Sequence, residues 1–385
     1  MVTSENDLHF IKPSLRLPNN YVSRKRLLTI IDHLLFQPLL IINSQKGFGS
    51  STLMADWCIT RSEEYSLGIA WITASESYNE KRDFERNLVE QLEPFFVKSA
   101  PSHYSTEKKG RADTDDQLRD DKNILRFFSS HIPIKKDVVL VIDNYNRITS
   151  QQIHSLMDKI VDLMPVNVHI ALISNTLPPL SVVLRQVTGR ALVITREELL
   201  MSSEEIDMFL KTQASYTCSS QELRRIKEIT NGWVIALQLI ALELKKGIAV
   251  SEALERILSG RCATVNSFIE DSLRSLSNNE KAFILNTSLL GGFNSGLADY
   301  ALSRHGSDKL ISKSLEKTYL LMADQDNKTF SYHLIFVAYL TQLAVKTSPE
   351  KSKIVFDRAV QWYLKSDDIN GAIQTLIRSK DWNFC

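Results

Sequence analysis

Leu39-Leu40-Ile41-Ile42-Asn43-Ser44-Gln45-Lys46-Gly47-Phe48-Gly49-Ser50-Ser51-Thr52 is the stretch on which the reading of this chain turns. The apolar run reads as a buried strand, a glycine-bearing turn follows, and a helix is expected from Thr52 to Ile59. This order of elements cradles a phosphate. Glycines bring the backbone close, amide N–H groups point inward, and a helix N-terminus favours negative charge. A working loop of this kind reads GxxxxGK[ST]. Here Ser44 holds the first glycine position, Gly49 the second, Ser50 the lysine position and Ser51 the hydroxyl position. The loop is present and its lysine is not.

Outward from the loop, the chain reads as an α/β unit. Leu67 to Ile72, Val138 to Asp143 and Val168 to Ser174 are further strand runs. They are apolar without alternation and separated by helical stretches, which predicts a parallel sheet with helices on both faces. Ligands of such sheets sit at the carboxyl ends of strands, where Ser44, Asp143 and Ser174 lie. Ahead of the first strand, Ser23 caps a helix running to about His33; its Arg24 and Arg26 face either a phosphate or solvent. Helices are also expected at 82–92, with Phe84, Leu88 and Leu92 at helical spacing, and at 123–130. Residues 99–122, rich in Ser, Lys, Asp and Arg, read as a flexible surface insert, and residues 1–20 as an extended arm.

From about residue 200 the strand runs stop. Ser202 and Glu205 form a capping-box signature, and helices are expected at 203–213, 220–230, 233–246, 251–258, 265–275, 278–290 and 308–318. Trp233 with Ala236, Leu237, Leu239 and Ile240 reads as helix core. Two short strand-like runs, 319–322 and 329–332, flank a polar turn from Asp324 to Lys328 and suggest a winged helix. After residue 350, Phe356, Val360, Trp362, Tyr363, Ala372, Ile373, Leu376 and Trp382 have the spacing of a first helical repeat.

Composition sets bounds. The 385 residues are enough for two or three domains, and a net charge of +1 gives no argument for a nucleic-acid or membrane surface. Cys58, Cys218, Cys262 and Cys385 lack metal-ligand spacing and read as free thiols of a reducing compartment. Glu5 and Asp7 in a segment without a long apolar core argue against a signal peptide, so a cytoplasmic location is expected.

Several motifs in order resemble one family. They are Val22 to Leu28, the loop Ser44 to Leu53, Ala70-Trp71-Ile72, Leu140 to Tyr145, Ser174 to Leu180, and Gly232-Trp233 with Ala236 to Leu239. They continue with Phe268 to Leu276, Tyr332 to Phe336, and Trp362-Tyr363 with Ala372-Ile373. The set is similar to the N-terminal portion of large LuxR-type transcriptional activators of the maltose-regulon (MalT) type, in the STAND class of P-loop NTPases. The resemblance implies an α/β P-loop NTPase domain followed by an all-α helical domain, a winged-helix domain and the start of a helical-repeat region. The expected boundaries are 1–198, 199–262, 263–348 and 349–385. It also implies ATP or ADP with Mg²⁺ as ligands, oligomerisation or co-assembly with related regulators, and RNA polymerase and promoter DNA as partners. It implies a far C-terminal DNA-reading helix-turn-helix, for which this chain offers no candidate; only the reading as a working activator places it beyond residue 385.

Residue by residue, the resemblance assigns Mg²⁺ to Ser51 and Asp143, and nucleotide contacts to Gly47, Phe48, Gly49, Ser50, Ser51, Thr52 and Arg24. His333 matches a winged-helix histidine that reaches the β-phosphate of ADP in the resting form; otherwise it is a core residue. Lys46 either substitutes for the lost charge or is a solvated loop lysine. The departures cluster around one phosphate. Ser50 replaces the lysine, Asn144 a second acid, Asn175 a common arginine and Asn146 a common histidine. Transition-state charge stabilisation dominates phosphoryl transfer, so little or no ATP hydrolysis is expected. The expected function is a regulatory module that binds ATP or ADP without turning it over. Two other readings stand beside it: a working ATP-dependent activator, and a nucleotide-free scaffold or antagonist of an intact relative.

Overall fold

The computed structural model describes residues 16–98, 122–324 and 328–380. All of the expected insert but Lys122, most of the N-terminal arm, the centre of the polar turn at 324–328, Trp382 and Cys385 lie outside the described residues. Two compact units are present: residues 1–45 with 49–199, and residues 46–48 with 200–385.

The first unit is built on a five-stranded sheet of β1 (Leu39–Asn43), β2 (Gly68–Thr73), β5 (Val138–Asp143), β6 (Val168–Ser174) and β7 (Ala191–Thr195). The order is β2-β5-β6-β1-β7, and every pairing is parallel. β6 therefore lies between the strand that enters the loop and the strand that ends in Asp143. All six residues of β5 and all seven of β6 are buried. Burial at every position, not alternate ones, means that both faces are covered. One face carries Ile41, Leu140, Ile142, Ile170 and Leu172, packed with Phe84, Leu88, Ile153 and Met157. These come from α3 (Lys81–Leu92) and α5 (Gln151–Leu163). The unit's remaining helices include α1 (Lys25–Asp32), α2 (Ser50–Glu64), α4 (Lys122–Ser130) and the short α6 (Val182–Val187). α1 and α2 are tied by Asp32, which accepts from the Trp57 indole at 2.8 Å and pairs with Arg61. A two-stranded ribbon, β3 (Phe96–Lys98) with antiparallel β4 (His131–Pro133), flanks α4.

The second unit is helical except for one hairpin. α7 (Ser203–Ala214), α8 (Ser220–Thr230), α9 (Val234–Lys245), α10 (Val250–Leu258) and α11 (Ala263–Arg274) come first. α12 (Asn278–Thr287), α13 (Ser295–Leu302) and α14 (Ser307–Lys317) then lead into β8 (Leu321–Ala323) and β9 (Phe330–Tyr332), which pair antiparallel. Ser202, Ser219 and Ser277 each close a full capping box with the glutamate three residues on, so α7, α8 and α12 start with their first amides satisfied. The hairpin is held by Phe293, which bridges to Phe330 and stacks on Tyr332, and by the Thr287 and Tyr332 hydroxyls at 2.6 Å. α15 (Leu334–Thr347), α16 (Pro349–Lys365) and α17 (Ile369–Lys380) complete the unit.

Several expectations need correction. α2 runs from Ser50 to Glu64 and so begins inside the loop motif, not after it. α12 stops at Thr287, three residues short of the expected end. β7, the β3–β4 ribbon and α13 were not foreseen. Among the described residues, no helix is long and apolar enough to cross a membrane.

Candidate functional site

The site is assembled at the carboxyl ends of β1, β5 and β6. Gly47 and Gly49 have φ of +88° and +82°, a left-handed region that favours glycine, so both keep the turn open without side-chain strain. Gly49 is the N-cap of α2, and no side chain caps this helix. The first-turn amides of a helix have no intrahelical partners. Like most helices of this chain, α2 has no side-chain cap, so the amides of Ser50, Ser51 and Thr52 face the loop. Such an end attracts an anion through its N–H groups and the helix dipole.

The two residues assigned to a metal are brought together. The Ser51 hydroxyl donates to Asp143 Oδ1 at 3.0 Å, although 92 residues separate them. The Asn144 backbone N–H donates to the same oxygen at 2.8 Å from a left-handed conformation, φ +58°. Burial pushes the Asp143 carboxyl above its ordinary range, and the hydrogen bonds from Ser51 and Asn144 act against that shift. A hydroxyl beside a carboxylate suits a hard cation such as Mg²⁺, which takes one or two protein oxygens and completes its shell with phosphate and water. The chain's own oxygens thus fit a nucleotide-bound Mg²⁺. Ser44 and Ser174 point the same way: both are buried, and neither hydroxyl has a hydrogen-bond partner. A buried hydroxyl without a partner costs free energy that a ligand can recover.

The substituted positions are structurally settled. Asn146 Oδ1 accepts from the Asn175 backbone N–H at 3.3 Å. Ser50 is half-buried as the first residue of α2.

Arg24 is not turned to solvent. It is 4% exposed and donates to the Leu199 carbonyl at 2.7 Å, while Arg26 donates to the Glu198 carbonyl at 2.9 Å. The pair ties α1 to the end of the first unit.

Residues 46–48, at the apex of the loop, group with the second unit. Lys46 is exposed, and Phe48 is buried with its ring centroid 6.2 Å from that of Trp233. In the same unit His333 caps α15. Its Nδ1 accepts from Ile335 N–H at 3.4 Å and its Nε2 faces the Thr230 carbonyl at 3.3 Å, a tautomer with the proton on Nε2. Its ring lies 4.8 Å from Trp233, and burial pushes its pKa down to about 4, so it is neutral at pH 7. Trp233 is 1% exposed and belongs to the core. Sequence reasoning missed the bare start of α2 and the orphaned Ser44 and Ser174 hydroxyls. The first could have been suspected from Gly49, which has no side chain to cap with.

Residues 269–352 match the family model of the MalT winged helix domain. The HTH-type transcriptional regulator MalT of Serratia proteamaculans (strain 568) is 24% identical over 326 residues, covering 84% of this chain and 35% of that protein. MalT of Yersinia pestis (strain Pestoides F) is 26% identical over 336 residues, covering 85% of this chain and 35% of that protein. Among solved structures, a Walker-type ATPase of Pyrococcus abyssi has a TM-score of 0.48 at 14% identity, covering 86% of this chain and 99% of that one. The chain spans about a third of the length of the curated regulators it matches. Over most of its length, this chain is similar to the MalT-type transcriptional regulators, and residues 269–352 match the model of their winged-helix domain.

Proposed function

We propose that this chain is the regulatory, STAND-type nucleotide-binding part of a MalT-like LuxR-type activator, and that it holds ATP or ADP with Mg²⁺ while hydrolysing little or none. The observation that carries the reading is the Ser51–Asp143 pair at 3.0 Å beside an uncapped helix start, with serine at the lysine position. Metal and backbone contacts to phosphate are thereby retained. The lysine that would stabilise the transferring phosphoryl group is absent, and Asn144 cannot polarise a water as an acid would.

In this reading Gly47, Gly49, Ser50, Ser51 and Thr52 cradle the phosphates, Ser51 and Asp143 hold the metal, and Phe48 anchors the loop apex. His333 is kept in the ligand set as the resemblance implies, a winged-helix histidine for the β-phosphate of ADP. Arg24, held by the Leu199 carbonyl, stays a proposed nucleotide contact. The proposed division is a nucleotide-binding domain to about residue 198, a helical domain to 262, a winged helix to 348 and the first helical repeat from 349. DNA reading, recruitment of RNA polymerase and assembly with related regulators belong to the longer protein of which such a chain is part, in the cytoplasm.

The test is equilibrium binding of labelled ADP and ATP with Mg²⁺, alongside phosphate release. Saturable binding with no release supports the proposal. Release that Asp143→Ala abolishes would replace it with a working ATPase. Absence of binding would leave a scaffold.

A further inference from the structure

A second concavity lies in the first unit and shares no residue with the loop, with Asp143 or with Ser174. It is a groove of about 610 Å³ formed by α3, α4 and the start of β4. Small-molecule sites commonly measure roughly 300–1,000 Å³ and combine an apolar lining with a few polar groups. This groove has that make-up. Val89 and the buried Phe127 are among its apolar residues. Phe127 is fixed from behind by Phe96, with ring centroids 5.0 Å apart, and in front by His131, which stacks on it at 4.4 Å and 19°. His131 Nδ1 is held by the Phe127 carbonyl and the Ser130 hydroxyl, both at 3.0 Å, so the flat wall is locked.

The charges lining this groove do not balance. Arg82, Arg86 and Arg126 stand against Glu85 and Glu90. Arg86 is committed to Asp83 at 2.7 Å and lies 3.9 Å from Glu90. Glu85 is buried and has a partner, although its Oε1 accepts no hydrogen bond among the described residues. Arg82 and Arg126 are exposed and come from different helices, and their guanidinium groups have no ion pair or hydrogen bond among the described residues. Two unspent guanidiniums beside a locked aromatic wall match a ligand with one anionic end and one flat apolar end.

We propose that this groove is a second ligand site, separate from the nucleotide loop, which takes an organic anion with an apolar body. Arg82 and Arg126 bind the carboxylate, phosphate or sulfonate group. The Phe127–His131 stack and Val89 receive the apolar part. The site is independent of nucleotide, so its test does not depend on the reading of the loop.

The probe is anilinonaphthalene sulfonate, titrated against the whole chain at pH 7 with and without saturating ADP and Mg²⁺. The expected result is one saturable site that ADP does not displace. Arg82→Ala/Arg126→Ala should weaken it by about tenfold or more, the loss of one or two charge-assisted contacts. Arg82→Lys/Arg126→Lys should keep most of the affinity, and phenylnaphthylamine, which lacks the sulfonate, should bind as weakly as the probe binds the alanine variant. Both arginines are exposed, so the melting temperature should not move. Equal binding by the double alanine variant, equal binding of the neutral analogue, displacement by ADP, or absence of a saturable site would each overturn the proposal.

Discussion

Restoring the missing lysine is the perturbation that separates loss of charge from loss of the site. In Ser50→Lys the new side chain stands at the first position of α2, which is half-buried and has no side-chain cap to disturb. A hydrogen bond to a charged group is worth about 1.5–3 kcal/mol, so nucleotide affinity should rise by roughly 10- to 150-fold. The opposing effect is a cation at the positive end of a helix dipole, which should cost the empty protein about 0.3–1 kcal/mol of stability. The two effects have different readouts. Calorimetric titration with ADP should give the tighter binding, and denaturant unfolding without ligand should give the small loss. Hydrolysis should stay near background, because Asn144 is unchanged. If Ser50→Lys unfolds normally yet leaves ADP and ATP affinity where it was, the assignment of Ser50 to the lysine position beside a phosphate fails.

Other consequences are simpler to check. Lys46→Ala should lower nucleotide affinity by less than about threefold, because an exposed lysine is screened; a larger drop would make it the substitute for the lost charge. Gly49→Ala forces a side chain into φ +82° and should cost about 1–2 kcal/mol in chemical denaturation, whereas Gly47→Ala should cost more, since its Cβ would also overlap the Ile235 side chain. The depressed pKa of His333, about 4 against an ordinary 6.5, means the unfolded chain takes up its proton first. Its contribution is present in full above pH 6.5 and is lost as pH falls towards 4, so the stability difference between wild type and His333→Asn should shrink or reverse over that window. Tyr332→Phe removes the buried hydroxyl bond to Thr287 and should destabilise by about 1 kcal/mol, because Thr287 keeps its bond to the Phe283 carbonyl.

Long apolar runs made the central strands legible. β5 and β6 are buried at every position, so their sequences could not alternate, and each ends at a residue of the site. β7 escaped because it is an edge strand: Ala191 to Thr195 has only two buried residues, and Gly189-Arg190 before it reads as a loop. The β3–β4 ribbon escaped because its two strands are three residues each and far apart in sequence. The Ser202–Glu205 signature made the start of α7 readable, but α13 begins at Ser295-Gly296, where glycine argues against a helix. Of the site, the glycines and Ser51 could be placed from the loop's spacing and Asp143 from its strand end, whereas the metal role of Ser51 and Asp143 was implied by the resemblance. The fate of Arg24 did not, because its partner is a backbone carbonyl 175 residues away and carbonyls leave no signature in sequence. The pairing of Asn146 with Asn175 was hidden for the same reason: only the fold places the two strand ends side by side.

Central to this account is a nucleotide held without turnover. Purified protein with Mg²⁺ and labelled ADP and ATP, measured for affinity and for phosphate release in the same preparation, tests it most directly. The account predicts saturable binding of both nucleotides, weakened by Asp143→Ala for the Mg²⁺ complexes, and release no faster than in buffer. Steady release of phosphate that disappears in Asp143→Ala, or no binding of either nucleotide, would contradict it.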